Sequence, residues 1–377
     1  MLNRTQPQTK ERHLLHVFAS FGLGGVPIRI CDVLNALPDA FRHTIVALDS
    51  CFDARKRLGA HVDVEFREVK LAKYCLPCNV RRFERLIRGI APDLLLTYNW
   101  GAIECALTHR LSGTCDHVHF ESGFGSEEAN GQLLRRSLFR RLALGHVRKL
   151  VVPSKTLMTI ARKNWRISPS KLVHIPNGVD LLRYRGRPGA REESNIVATQ
   201  HFDAIVGTVA PLRPEKNIGR LLRAFAKSPR RQNSGLVIAG DGTELAQLRR
   251  LAAELQIAHR THFLGHVEDV PALLRSIDVF ALSSDTEQMP NSLLQAMAAA
   301  RPVAGVDVGD VKMVVSPENR SFVVPREDED ALTSALSTLI ADPARREKLG
   351  RCNQEHIKAH YSLDGMIAAY RDLLSGT

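Results

Sequence analysis

No apolar run in this sequence approaches the roughly 18–20 residues that cross a bilayer. Its first residues, MLNRTQPQTKER, lack the apolar stretch of a secretory signal, so an integral or secreted protein is not expected. Aromatics are scarce, at 6%, and no basic cluster is interleaved with them as a base-stacking surface would be, which sets nucleic acid aside as a partner. No Gly, Pro or Ser tract is long enough to suggest disorder. The seven cysteines are odd in number and scattered, so they read as reduced thiols of a cytoplasmic protein rather than a disulfide framework. Cys75 and Cys78 have the C-x-x-C spacing, but Cys105 and Cys115 do not supply the second pair a zinc site requires. Acidic residues are in deficit, 40 against 52 basic ones, leaving a formal charge of +12 that draws the protein to anions such as phosphorylated small molecules or anionic lipid.

What is present is the composition of a folded chain, 44% hydrophobic and 24% charged over 377 residues, enough for about two domains. Short β-rich runs alternate with longer amphipathic segments, the pattern of βαβ units around a parallel sheet. Strands are expected at 13–19, 43–49, 62–69, 93–97, 116–120, 149–152 and 171–175, and again near 203–210, 235–240, 261–264, 278–282, 302–306 and 320–324. The polar stretch after Asp180 lacks periodicity and reads as a linker. The expected architecture is α/β, with two doubly wound Rossmann-like domains facing across a cleft. Residues 1–180 form the first domain, 181–200 the linker and 201–358 the second domain, and a helix over 359–377 packs back on the first.

Ligands of such sheets bind outside the carboxyl ends of the strands, where loops enter helix N-termini. The first such loop reads Phe21-Gly22-Leu23-Gly24-Gly25-Val26-Pro27; Gly24 and Gly25 would let backbone approach a phosphate. Pro27 stands where a dinucleotide fingerprint needs a third glycine, and Asp49 stands where a ribose-binding acid would sit. Gly240 and Gly242 repeat the device in the second domain. The loop from Ser283 to Ser292 holds Glu287 just ahead of the helix LLQAMAAA, either as a group that meets ligand or as a dipole partner beside a Ser292–Gln295 capping box. Arg213 and Lys216, after the strand AIVGTVA, could clamp a diphosphate or form a solvated turn.

Three other features have competing readings. Asp328 and Asp330 have metal-ligand spacing but open a helix, where acids favour the dipole. His117 and His119 alternate on a strand that ends toward the cleft, either structural or catalytic. In QLLRRSLFRRLAL, Leu134, Leu138 and Leu142 form one stripe away from Arg136 and Arg140, which suits either a core-packed face or a lipid contact.

Together FGLGG, HIPNGVD (174–180), VGTVAPLRPEKN (206–217), LVIAGDGTELAQL (236–248), HFLGHVEDVPALLRSIDVFALSS (262–284), TEQMPNSLLQAMAAARPVAGVDVGDV (286–311) and the terminal HYSLDGMIAAYRDLL resemble retaining glycosyltransferases of family four, along nearly the whole chain. The resemblance implies the GT-B fold and a hexosyltransferase working without metal or other cofactor, in surface polysaccharide or glycolipid synthesis. The implied partners are a nucleotide-sugar donor and a saccharide or lipid-linked acceptor, at the cytoplasmic face of a membrane. Lys216 and Arg213 would neutralise the diphosphate, and Glu287 would address the sugar hydroxyls, with His119 and Glu121 beside them as catalytic groups. Gly24, Gly25, Gly240, Gly242, Met289, Pro290, Asn291, Ser292 and Gln295 would hold the donor. The chain departs from the family pattern at Pro211, where an arginine is usual, at Gln295, where a glutamate binds the ribose, and at Ser122, aligned with the cleft histidine. These departures leave a binding-only pseudoenzyme or partner subunit as the alternative.

Overall fold

A strand covered on both faces must be apolar along nearly its whole length. LLLTY, LVIA and VFAL meet that condition inside two parallel sheets. The computed structural model describes residues 12–37, 41–72, 75–124, 126–128, 131–184, 201–228 and 233–376. The first sheet contains β1 (Arg12–Phe18), β2 (Phe41–Ala47), β3 (Val64–Glu68), β4 (Leu94–Tyr98), β5 (Asp116–Phe120), β6 (Lys149–Val152) and β7 (Leu172–His174), in the order β3-β2-β1-β4-β5-β6-β7. The second contains β8 (Ala204–Val209), β9 (Ser234–Ala239), β10 (Thr261–Gly265), β11 (Val279–Leu282), β12 (Val303–Asp307) and β13 (Val323–Pro325), in the order β10-β9-β8-β11-β12-β13. Each sheet reverses its strand order once, between β1 and β4 and between β8 and β11. The loops leaving those four strands therefore border the two crevices where such sheets take ligands.

The connecting helices of the first half are α1 (Gly25–Ala36), α2 (Leu76–Ile90), α3 (Ile103–Ser112), α4 (Leu134–Leu144) and α5 (Lys155–Lys163). Those of the second are α6 (Ile218–Lys227), α7 (Leu245–Glu254), α8 (Val270–Ser276), α9 (Asn291–Ala298), α10 (Val311–Val314) and α11 (Glu329–Ala341). After α12 (Pro343–His360), α13 (Leu363–Ser375) returns to the first sheet. Its Met366, Ile367, Tyr370 and Leu374 are buried with Phe18, Tyr98 and Phe120, and Tyr370 stacks on Phe120 at 5.5 Å. The linker expected over 181–200 lies mostly outside the described residues; Leu181–Tyr184 forms a 3-10 turn that buries Tyr184 in the second core.

The two halves are joined by specific bonds as well as by chain. Asp310 accepts the backbone N–H groups of Lys155 (2.6 Å) and Thr156 (2.9 Å), and Ser154 donates to Gln288 at 2.8 Å. Asp310 and the Ser154 N-cap thus satisfy the first amides of α5 from opposite halves of the molecule.

Several expectations are corrected. Cys75 and Cys78 are disulfide-bonded in the first turn of α2, so the reduced-thiol reading holds for the other five cysteines and not for this pair. Asp49 is exposed, accepts the Cys51 N–H at 2.9 Å in a turn, and is not among the residues that line the cavity between the two sheets. The reading of Asp328 and Asp330 as acids that open a helix holds: Asp328 caps α11, and Asp330, in its first turn, pairs with Lys227 at 2.8 Å. The Ser292–Gln295 capping box does not form: Pro290 is the N-cap residue of α9, and no side chain bonds to the helix's first amides. Helix α4 has Leu134, Leu138 and Leu142 outside, while Ala143, Leu144 and Arg140 are buried and Arg136 is mostly covered. The core-packed reading of the leucine stripe therefore fails: the helix packs inward through Ala143 and Leu144 and through Arg140 and Arg136, which pair with Glu128 and Glu127.

Candidate active site

The loops leaving β1, β4, β8 and β11 border one cavity of about 860 Å³ between the two sheets. Helix α1 enters it from the first sheet with Gly24 as its N-cap residue, and α9 enters from the second after Pro290. Neither helix carries a side-chain cap, a feature shared with α2, α3, α4, α7 and α10, whereas α5, α6, α8, α11, α12 and α13 are capped by Ser154, Asn217, Asp269, Asp328, Asp342 and Ser362. The N-termini of α1 and α9 meet across the cleft, since a Cβ on Gly25 would lie 3.2 Å from Asn291 Nδ2. Their partial positive charges converge on one space, which suits an anion.

Fixed cations stand beside them. Lys216 Nζ donates to Glu287 Oε1 at 2.6 Å, with the two side chains 19% and 10% exposed, and Ser284 Oγ donates to the same oxygen at 2.7 Å. Lysine has three N–H bonds, so this pairing leaves donors for a second anion. The neighbouring acid Asp285 is already neutralised by Arg220, at 2.7 Å, and held by Asn217, so it contributes scaffold rather than free charge. Arg213 is exposed at the cavity's edge, with no ion pair among the described residues, and Pro211 lines the wall beside it.

Most of the expected donor-binding stretch comes together here: Gly25, Gly240, Met289, Pro290, Asn291 and Ser292 all line the cavity, with Glu287, Lys216 and Arg213. Gly24 lies one residue behind the wall, and a Cβ there would meet nothing closer than Pro27 at 3.7 Å. Gly242 is off the cavity; a Cβ there would stand 2.2 Å from the Leu212 carbonyl oxygen, so the close packing of two loops demands glycine at that point. Gln295 borders an adjoining cavity of about 540 Å³, with Asp32, Arg57, Asp180 and Arg183. Burial there raises the Asp32 pKa, against the pull of Arg57 and Arg183.

His119 and Glu121 require correction as groups that meet substrate. Both are wholly buried behind the cleft wall. His119 shares the Thr97 hydroxyl with His117, each at 2.7 Å, and burial drives the His117 pKa well below its ordinary value. Glu121 lies 3.4 Å from Arg140 Nε. Arg140 is bonded twice to Glu128, at 2.9 Å each, and packed among Trp100, Phe124 and Trp165. Burial works to raise the Glu128 pKa, but the Arg140 bonds and charge outweigh it and hold the carboxyl below its usual range. Trp100 and Phe124 also line the cavity, so this buried network braces the first domain's wall.

Two cleft residues escaped the sequence reading. Arg29, nearly buried, donates to Ser122 Oγ at 2.8 Å and to Asn177 Oδ1. Asn177 in turn donates to the Met289 carbonyl and to Asn291 Oδ1, both at 2.9 Å, and so ties α1 to α9. An arginine one turn after Gly25, on the apolar face that carries Val26, Ile30 and Val33, was the available signal for the first. Asn177 is the Asn of HIPNGVD, a stretch that had served only for the resemblance. Among the described residues, no group of three or more His, Cys, Asp or Glu side chains is arranged to hold a metal ion.

Comparison with known proteins agrees with this geometry. Residues 23–183 match the model described as Glycosyltransferase Family 4, and residues 190–356 match Glycosyl transferases group 1. A GDP-mannose-dependent alpha-(1-6)-phosphatidylinositol monomannoside mannosyltransferase of Mycobacterium tuberculosis is 29% identical over 252 residues, which are 64% of this chain and 65% of that one. The 2-deoxystreptamine N-acetyl-D-glucosaminyltransferase of Streptomyces fradiae is 28% identical over 59% of this chain and 54% of its own. The chain thus spans less than two thirds of either relative's length. Among solved structures, Anabaena HepE in complex with UDP and glucose superposes with a TM-score of 0.83 at 16% identity, covering 97% of this chain and all of that one. Sucrose-phosphate synthase from Thermosynechococcus elongatus has a TM-score of 0.80 at 20% identity, with 97% of this chain and all of that one covered.

Proposed function

We propose, from the premise that this chain belongs to glycosyltransferase family 4 and has the GT-B fold, that it transfers a hexose from a nucleotide-sugar donor to a saccharide or lipid-linked acceptor, with retention. One observation carries the reading: two uncapped helix N-termini, one from each domain, converge beside Lys216, Arg29 and Arg213 in a single cavity. A diphosphate is the group that such a convergence favours. UDP and glucose in HepE, and GDP-mannose in the name of the mycobacterial relative, point to the same class of donor.

In this proposal the bond from the anomeric carbon to the diphosphate breaks while the acceptor oxygen attacks on the same face. The acceptor proton passes to the departing phosphate oxygen, and the nucleoside diphosphate leaves. Lys216, Arg213 and the amides at α9 meet the charge that develops there, so stabilisation is electrostatic and preorganised and no metal is required. Glu287, turned into the cavity between Lys216 and Ser284, would accept hydrogen bonds from the sugar hydroxyls. A cytoplasmic position and a role in surface polysaccharide or glycolipid synthesis complete the proposal.

The alternative is a partner subunit that binds a nucleotide sugar without turning it over. Pro211 on the cavity wall and Gln295 in the adjoining cavity favour it, since each removes a charge the family uses. Incubating the chain with UDP- and GDP-sugars, with and without EDTA, and following nucleoside diphosphate release and product anomer by NMR tests both. Turnover with retention that survives EDTA is expected. Binding without release would leave the partner-subunit reading, and restoration by magnesium or manganese after loss in EDTA would end the metal-free mechanism.

A further inference from the structure

The disulfide at the head of α2 is open to solvent and closes a very short loop. Cys75 is the N-cap residue of the helix and Cys78 stands in its first turn, so only Leu76 and Pro77 lie between the two sulfurs. So short a loop constrains the unfolded chain less than a long-range bridge would. Leu76, Pro77 and Cys78 are exposed and Cys75 is half-buried, so a group arriving from solvent meets Cys78 before Cys75. Three of the other cysteines are placed differently. Burial pushes the Cys31 thiol up to about 12 and the Cys115 thiol up to about 11, and it raises the Cys105 thiol as well.

The charge around this pair has one sign. The first turn of α2 holds no acid. Arg81, Arg82 and Arg85 follow Cys78 at three, four and seven residues, a spacing that sets all three on its face of the helix, and all three are exposed. None of them has an acidic partner among the described residues, whereas Arg88, one turn further, pairs with Glu84 at 2.8 Å. The helix N-terminus adds its own partial positive charge, which favours a thiolate. Since Pro77 has no N–H, the Cys78 amide is the donor that a Cys75 thiolate at the N-cap would meet.

We propose that Cys75–Cys78 is a thiol–disulfide exchange site for an anionic thiol of the glutathione class, guided by Arg81, Arg82 and Arg85. The incoming thiolate, its proton already given to water, attacks Cys78 Sγ. A bond forms between those two sulfurs, the bond from Cys78 to Cys75 breaks, and its electron pair leaves on Cys75 Sγ as a thiolate at the α2 N-terminus. A second glutathione thiolate attacks the glutathione sulfur of the mixed disulfide and releases Cys78. Two thiols are thus oxidised to one glutathione disulfide while the protein disulfide is reduced to two thiols. Charge selects the reagent: glutathione carries two carboxylates against one ammonium, and three guanidinium groups without acidic partners complement it. The site lies beside the cleft. Asn79, buried next to Cys78, donates to the Ala72 carbonyl at 3.1 Å and to Glu104 Oε2 at 2.8 Å. Glu104 stands in the first turn of α3, just past Trp100 and Gly101 of the cavity wall. A glutathionyl group on Cys78 would therefore sit on an element that braces that wall. The inference stands on the disulfide and its charged setting and does not depend on the transferase reading.

Incubating the purified, oxidised full chain with reduced glutathione or with cysteamine, a cationic thiol, tests it, with quenching by N-ethylmaleimide and mapping of Cys75 and Cys78 by peptide mass spectrometry. Glutathione should open the pair while the circular dichroism spectrum stays native, and the transient adduct should be found on Cys78. The R81Q/R82Q/R85Q variant changes only solvent-facing residues; it should react with glutathione roughly tenfold more slowly and with cysteamine no more slowly than the wild type. The C75S variant should take up one glutathionyl group at Cys78 from glutathione disulfide. A pair that opens only after unfolding in guanidinium chloride would be a structural bond and would overturn the proposal. So would an arginine variant with wild-type rates toward both thiols, or an adduct on Cys75 in place of Cys78. Reduction by thioredoxin but not by glutathione would assign the site to a protein dithiol and overturn it equally.

Discussion

Replacing Lys216 by alanine separates the ligand's view of the cleft from the fold's view of it. Lys216 Nζ lies 2.6 Å from Glu287 Oε1, but with 19% and 10% of the side chains exposed the pair is partly screened, and Ser284, which donates to the same carboxylate oxygen at 2.7 Å, is untouched by the change. Stability should therefore fall by no more than about 1 kcal/mol. A bound diphosphate loses a charged hydrogen bond worth roughly 1.5–3 kcal/mol, which is roughly ten- to hundredfold in Kd. Calorimetry with UDP, GDP and the corresponding nucleosides reads the difference: the diphosphates should weaken and the nucleosides should not. Glu287→Gln frees the lysine from its competitor, so diphosphate affinity should hold or rise while sugar-nucleotide affinity falls. The double variant should be non-additive, by about 0.5–3 kcal/mol for groups in direct contact. A folded Lys216→Ala protein that binds UDP and GDP like the wild type would refute the assignment of Lys216 to the phosphates.

Gly25→Val puts side-chain carbons where a Cβ already lies 3.2 Å from Asn291, so the two helix N-termini should be held apart. UDP or GDP affinity should drop on the order of tenfold with little change in Tm, and unaltered affinity would mean that the two termini do not share the ligand. Asp310→Ala removes the carboxylate that α5 uses from the other half of the molecule. It should cost about 0.5–2 kcal/mol and enlarge the radius of gyration in solution scattering; no change in either would make that joint incidental. Acid should destabilise the fold in a defined window. Burial, helped by the charge of His13, pushes the His43 pKa from 6.5 down to about 4, and burial also drives His16 and His117 well below their ordinary value. The native state favours the neutral rings, so their contribution is present above pH 6.5 and is lost as pH falls toward 4, up to about 3 kcal/mol for His43. Urea melts at stepped pH should show this loss, and His43→Phe should flatten it; a flat wild-type curve from pH 7 to pH 5 would contradict it.

Each of the thirteen strands among the described residues overlaps a run that the sequence marks as β, and the restart of the alternation after the polar stretch at 181–200 separates the two sheets. Those signals are local: a strand buried on both faces must be apolar residue after residue, and glycine and proline mark where it stops. The loops at the strand ends were legible for the same reason, and most of the residues drawn from them do share one cavity. Tertiary structure alone decided which side chains meet. Lys216 finds Glu287 across 71 residues, and Arg29 finds Asn177 across 148, because strand order brings their loops together. His119 and Glu121 stand at the end of a cleft strand in sequence, yet the wall of Trp100 and Phe124 closes over them. Helix α4 is the clearest case. Its periodicity places three leucines on one stripe and two arginines on another, but periodicity does not say which stripe faces inward. Glu127, Glu128 and the rings of Trp100, Phe124 and Trp165 decided that, by offering the arginines partners that the core could not offer the leucines.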